Sequence, residues 1–151
     1  MSDPTDLPAL ARSIIDTNRY MTLATADGDG TPWASPVWYA PADYRDFYWV
    51  SRPEATHSRN LAVRPHLAIV IFDSHEAGGW KALYLSATAE QVADVDDGIE
   101  IFSRHGEAQG LRRWTRDDVL APARHRLYRA TASEVFVLDP HDERIPVSLA
   151  G

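Results

Sequence analysis

The spacing of apolar positions changes several times along the chain, and each change marks an element. Leu7, Leu10, Ala11, Ile14 and Ile15 recur at helical spacing. Asp6 stands where a cap belongs, and Pro8 suits a first turn. The pattern predicts a helix over 6–19. It then drops to period two: Met21 and Leu23 alternate with Thr22 and Ala24 across the β-prone stretch Tyr20–Thr25. Asp27-Gly28-Asp29-Gly30 reads as a hairpin turn, and Trp33–Tyr39 as the returning strand. Pro36 cannot donate to a ladder, so that strand is expected at an edge or a bulge. After a turn over Pro41–Asp46, the aromatic run Phe47–Ser51 predicts a third strand.

A short helix is expected between Arg52 and Arg64, stopped by Pro65. Leu67–Phe72 is apolar at every position and predicts a strand buried on both faces. Ala77-Gly78-Gly79 is a turn, and Trp80–Val92 a long strand. Asp94–Gln109 is helical, with Val95, Ile99 and Phe102 on its apolar side and Gly110 as its end cap. Leu111–Leu120 suggests a second helical piece, and Arg126–Leu138 a strand pair or one bent strand. Short turns between strands make the sheet largely antiparallel. Such a set closes as a small barrel or stays open as an α+β sandwich.

Composition narrows the function classes. The chain has 151 residues, 44% hydrophobic and 25% charged, which suits one globular domain. A net charge of −7 argues against nucleic acid or an anionic membrane as partner. The absence of cysteine removes disulfides, thiolate metal sites and thiol nucleophiles. The acidic, polar N-terminus does not resemble a secretory signal, and the longest apolar run is too short to span a bilayer. A soluble cytoplasmic protein is expected. The six histidines include no pair one helical turn apart, so no metal site is predicted. Asp27–Gly30 lacks the later ligands of a calcium loop.

Candidate chemistry gathers in three pieces: Ser35-Pro36-Val37-Trp38, then Val50-Ser51-Arg52, then Thr56-His57-Ser58-Arg59-Asn60. The second piece ends a strand and the third opens a helix. Unpaired amides, hydroxyls and cations at a helix start suit an anion. A capped surface helix with solvated arginines has the same pattern. Trp33, Trp38, Trp49 and Trp80 fall among the strands, where tryptophan is normally core. Trp38 and Trp80, beside candidate loops, are the two expected to face a ligand.

These residues carry a resemblance to a known family. The stretches "YMTLATADGDGTPWASPVWYA", "FYWVSRPEATHSRNLAVRPHLAIVIFD" and "WKALYLSATAEQV" follow one another in the order and spacing of the pyridoxamine-phosphate-oxidase-like flavin-binding split-barrel family. The resemblance runs from about Tyr20 to Leu138. It implies a mainly β fold with flanking helices: a six-stranded antiparallel split barrel forming one flavin-binding domain over 1–151, with a short C-terminal tail.

The resemblance also implies a homodimer with two cofactor sites at its interface. FMN is the implied cofactor, with a deazaflavin or haem as alternatives used by relatives. Ser51 matches the hydroxyl position of the phosphate loop. Thr56 and His57 match a pair that is usually basic, so His57 replaces the main phosphate lysine. Val50 and Arg52 flank that hydroxyl, and Arg52 or Arg59 is the expected source of compensating charge. Val37 and Trp38 match the strand against the isoalloxazine edge. Lys81, the chain's one lysine, lies where the next strand, from the other subunit, meets the flavin. Trp80, Leu83 and Leu85 are the expected apolar contact between subunits. The tail Asp142–Val147 does not match the arginine-rich substrate motif of true pyridoxamine phosphate oxidases. The implied activity is a flavin-dependent oxidoreductase acting on a small, planar or conjugated molecule, with no obligatory acid or base singled out. A non-catalytic flavin or haem carrier is the alternative.

Overall fold

The computed structural model describes residues 6–75 and 81–149. Helix α1 spans Leu7–Thr17 and begins where Asp6 accepts a hydrogen bond from the Ala9 amide (3.1 Å). Its buried face, Ala11, Ile14 and Ile15, joins the main core. Strands β1 (Tyr20–Ala26) and β2 (Pro32–Trp38) pair antiparallel from Tyr20↔Trp38 to Ala26↔Pro32. Asp27 organises their turn: its carboxylate accepts from the amides of Asp29 (2.8 Å) and Thr31 (2.9 Å). Gly30, at φ +87°, takes the left-handed position a side chain would strain.

Two short strands were not expected from the sequence. β3 (Ala40–Ala42) pairs with β4 (Asp46–Ser51) across a stretch read as turn. Near the C-terminus, β8 (Arg144–Pro146) pairs with the end of β7 (Arg126–Leu138). The tail thus continues the sheet, and Leu149 beyond it enters the core. With β5 (His66–Phe72) and β6 (Ala82–Gln91), the described residues form one curled antiparallel sheet of eight strands rather than six. Its order is β2-β1-β5-β6-β7-β4-β3, with β8 on β7. β2 lies at one end, so its outer edge is unpaired, and Pro36, opposite Thr22 of β1, sits on an edge strand that tolerates a missing amide. β7 is long enough to pair with β4, β6 and β8, and a register shift at Ser86/Ala87 bends the β6–β7 ribbon.

Helix α2 spans Thr56–Val63 and α3 spans Asp96–Ala108. Gly110, at φ +80°, ends α3, and its amide donates to the Glu107 carbonyl (3.0 Å). The predicted helical piece over 111–120 shrinks to a 3-10 turn, Arg116–Val119. Thr115 and Asp118 cap that turn reciprocally, which satisfies its first amides without a longer helix.

The strand buried on both faces is β4, not β5. Trp49 and Phe47 face the barrel interior, while Tyr48 joins a second core beneath α3 with Ile99, Phe102 and Leu127. β5 instead alternates. Leu67, Ile69 and Ile71 are buried, whereas Ala68 and Phe72 face out and Val70 is half-buried. Among the described residues no element covers that side, so the apolar run here reflects an open sheet face. The same alternation corrects the expected subunit contact. Leu83 and Leu85 point into the barrel core and cannot form a surface patch. Their neighbour Tyr84 is the outward residue, with the Arg144 guanidinium 3.8 Å over its ring. Trp80 lies outside the described residues.

Candidate functional site

A pocket of about 420 Å3 lies where β2, the end of β4, the head of α2 and the α3–β7 connection meet. Pro36, Val37 and Trp38 form one wall, and Val50, Ser51 and His57 the floor. Phe102 and Gly106 of α3, which pack against Trp38, complete the lining with Leu111, Arg112, Trp114 and His125. Tyr20 stands at the rim. A larger groove of about 870 Å3 lies elsewhere, between α1, the β3–β4 turn and Val147–Leu149. It mixes Arg12 and Arg45 with Asp43 and Glu134 and gathers no imidazole or indole. The smaller pocket is the one that joins polar groups to flat aromatic walls, the usual make-up of a cofactor site.

Its polar end is built by β4 and α2. Ser51 is buried at the last position of β4, and its Oγ lies 2.8 Å from His57 Nε2. Burial holds the His57 imidazole below the ordinary histidine pKa, so it is neutral near pH 7. The ring then keeps one acceptor and one donor nitrogen. The Ser51 hydroxyl donates when the proton sits on Nδ1 and accepts when it sits on Nε2. The head of α2 carries no side-chain cap, because its N-cap residue is Ala55. In the same turn the buried Ser58 hydroxyl has no hydrogen-bond partner among the described residues. Uncapped amides, a hydroxyl and an imidazole make this end a cradle for an anion.

The aromatic end is held by side chains that fix one another. Trp38 meets Phe102 edge-on at 4.9 Å, and its indole N–H donates to Gln109 Oε1 (2.8 Å). Gln109 Nε2 also lies 3.2 Å from His105 Nε2, so the α3 C-terminus holds the indole in place. Trp114 meets Phe102 and His125 edge-on at 6.0 and 5.6 Å. Gly106 lies against this wall, where a Cβ would make ordinary contact at 3.6 Å with both Trp38 and Leu111. A phosphate-bearing flat cofactor fits this pairing of an anion cradle and a flat slot.

Five of the eight expected cofactor residues line this pocket: Val37, Trp38, Val50, Ser51 and His57. Three do not. Arg52 points to solvent, its side chain 57% exposed, with Nε 3.7 Å from Glu54. Thr56 is the first residue of α2. Lys81 stands just before β6, where its carbonyl accepts from the Asp73 amide (3.3 Å). Of the tryptophans, Trp38 faces the pocket, Trp49 is core and Trp33 is 49% exposed on the edge strand. The whole α3-side wall escaped the sequence reading. Phe102 was legible as the apolar side of a helix, but nothing local says that this side also roofs a cavity.

The depressed His57 pKa has a stability consequence. The unfolded chain binds the proton at the ordinary histidine value, near pH 6.5, and the folded chain only at lower pH. The stabilisation is present above about pH 6.5 and is lost as pH falls through the lowered folded value. His105, lowered chiefly by burial, acts in the same direction. The His57→Gln variant is therefore expected to lose less Tm than the wild type between pH 7.5 and 5.5. Equal losses in thermal melts would refute this.

Comparison with known proteins agrees with the architecture. The sequence pattern of the family described as pyridoxamine 5'-phosphate oxidase matches residues 7–139. The pyridoxine/pyridoxamine 5'-phosphate oxidase of Salinibacter ruber is 30% identical over 97 residues, 62% of this chain and 42% of that protein. A heme-binding protein from Mycobacterium smegmatis superposes with TM-score 0.74 at 21% identity, over 99% of this chain and 59% of its own. An F420 reductase superposes with TM-score 0.62 at 16% identity, over 82% and 94%. This chain thus spans less than two thirds of the first two proteins. At such identities the two structural likenesses speak for the fold. From α1 to the end of β7 the family pattern covers the split barrel, and this chain belongs to the pyridoxamine 5'-phosphate oxidase family.

Proposed function

We propose that this protein is a flavin-dependent oxidoreductase that holds FMN between two copies of the chain and acts on a small planar molecule. The observation that carries the reading is the Ser51–His57 pair at the uncapped head of α2, opening directly onto the Trp38–Phe102 wall. The cofactor phosphate belongs at the first and the ring system along the second. Bound flavin supplies hydride transfer; the protein binds it, orients it and keeps water from one face.

The second copy is argued from the open sheet face. Tyr20 is 62% exposed at the pocket rim, and Phe72, on the adjacent strand β5, is 53% exposed. With half-buried Val70 they line one groove that shares Tyr20 with the pocket mouth, and Ala68 is exposed further along the same face of β5. Covering it with a second chain would bury both rings and close the open side of the site. Lys81 is offered to the site in that assembly.

A second reading replaces FMN with haem or a deazaflavin. It is favoured by His57 and His125 on the same pocket lining, since neutral imidazole is an iron ligand. The deciding measurement is the visible spectrum of freshly purified protein, with mass spectrometry of what heat releases. FMN released from a particle that sediments as a dimer is the expected result. Released haem or deazaflavin transfers the proposal to that cofactor. A colourless monomer that takes up no added FMN refutes it.

A further inference from the structure

A phosphate at the head of α2 meets an unusual lack of charge. His57 is neutral near pH 7, and Ser51 and the helix amides carry only partial charge. The arginines nearest in sequence do not repair this. Arg52 is turned to Glu54 and solvent, and Arg59 is exposed on α2 away from the pocket lining. Among the described residues, the guanidinium that lines the pocket comes from Arg112, some fifty residues further along the chain.

Arg112 is held in place before any ligand arrives. Its Cζ lies 4.0 Å over the Trp114 ring, and Nη1 lies 3.5 Å from Asp118 and 3.3 Å from the Arg113 carbonyl. Each anchor is itself anchored. The Trp114 amide donates to Ser103 Oγ (3.0 Å), and the Ser103 hydroxyl donates to the Trp114 carbonyl. Asp118 accepts from the Thr115 amide (2.8 Å), which holds its carboxyl below the usual range, with Arg112 adding to the shift. A guanidinium is charged at all working pH values and is held here over the indole. Ordering it in advance lowers the entropic cost of using it. Its side chain keeps 60% of its surface exposed, so Asp118 does not consume its donors.

We infer that Arg112 supplies the formal positive charge for the anionic group of the cofactor, in place of the basic residue that His57 has displaced. The inference rests on the flavin reading above. It makes the α3–β7 connection part of cofactor selection: the indole of Trp114 holds the guanidinium, and the guanidinium distinguishes phosphorylated from unphosphorylated flavin.

The test uses two probes that share a ring system and differ in the phosphate: FMN and riboflavin. Affinities of the full-length protein are read by quenching of flavin fluorescence. Wild type is expected to prefer FMN. Arg112→Gln is expected to weaken FMN by about 10- to 100-fold, the range for a charge-assisted hydrogen bond, and to leave riboflavin unchanged. Arg112→Lys is expected to recover part of the preference and to show that the segment still folds. Equal weakening of both flavins would make Arg112 a wall residue and overturn the inference. So would an Arg112→Gln protein with unchanged FMN affinity, but that result would leave the flavin reading intact. A wild type that binds neither flavin overturns both.

Discussion

Replacing Ser51 and His57 together by alanine is expected to weaken FMN binding by about 100-fold while the barrel stays folded. The two side chains face each other at 2.8 Å and form the floor of the polar end, so the double variant removes both of these groups and leaves the helix amides and the Ser58 hydroxyl of that turn. Two hydrogen bonds to a charged group, each about 1.5 kcal/mol at the low end, give about 3 kcal/mol, or roughly two decades of affinity. Neither residue belongs to the apolar cores, so the Tm is expected to move little. Fluorescence titration beside a thermal melt checks both parts. Unchanged FMN affinity would remove the phosphate from this end of the pocket. His57→Lys should act oppositely. It restores a full charge at a position already aimed at the anion, and tighter binding by about tenfold is expected.

Replacing Gly98 by valine is expected to be the most damaging single change to the fold. Gly98 lies inside α3 where the helix presses on the sheet. A Cβ there would stand 2.7 Å from Tyr48 Cε1 and 2.9 Å from Leu127 Cδ2. Both partners are buried in the core beneath α3, with little room to retreat. Overpacking of this kind costs about 1–3 kcal/mol, and a branched side chain within a helix adds to it. Near the upper end, a chain this size loses roughly 6–12 °C of Tm. The effect on function follows from position. α3 cannot lift at Gly98 without carrying Phe102 and Gly106 out of the pocket wall. FMN affinity is therefore expected to fall together with stability. Gly106→Ala is the control: its nearest neighbours stand at 3.6 Å, an ordinary contact. There the gain in helix propensity, about 1 kcal/mol, is expected to dominate. A Gly98→Val protein as stable as Gly106→Ala would mean that α3 does not pack where it is placed here.

The polar end of the site was readable because its parts are close in sequence. Ser51 and His57 are six residues apart, joined by a turn that a strand end and a helix start define between them. The aromatic wall was not readable for the opposite reason. Trp38 meets Phe102, and Gln109 meets Trp38, across more than sixty residues. Such pairs are made by the stacking of α3 on the sheet, and no local pattern encodes them. Arg112 shows the same limit. From sequence the compensating cation was sought at Arg52 or Arg59, next to His57, yet the guanidinium in the pocket arrives from the far side of α3.

The apolar run of β5 is a different kind of limit. Val70 and Phe72 are as hydrophobic as the residues that fill a core, and an intrachain reading puts them inside. The fold turns them to the outer face, since sheet geometry sends alternate residues to opposite faces and among the described residues no element covers that one. Leu83 and Leu85 were assigned to the surface and lie in the core by the same alternation. Hydrophobicity measures the tendency to be covered but does not name what does the covering.

By itself, then, the sequence determined the three α-helices, six of the eight strands and the hairpin turn at Asp27–Gly30. All of these depend on interactions within a few residues: periodicity, caps, turn chemistry and a short loop. Only the tertiary structure decided which face of each strand is open, that α3 roofs a pocket, and which arginine enters it. Those outcomes depend on how elements distant in the chain stack against one another, and the energy of such packing is shared among residues that carry no mark of their partners.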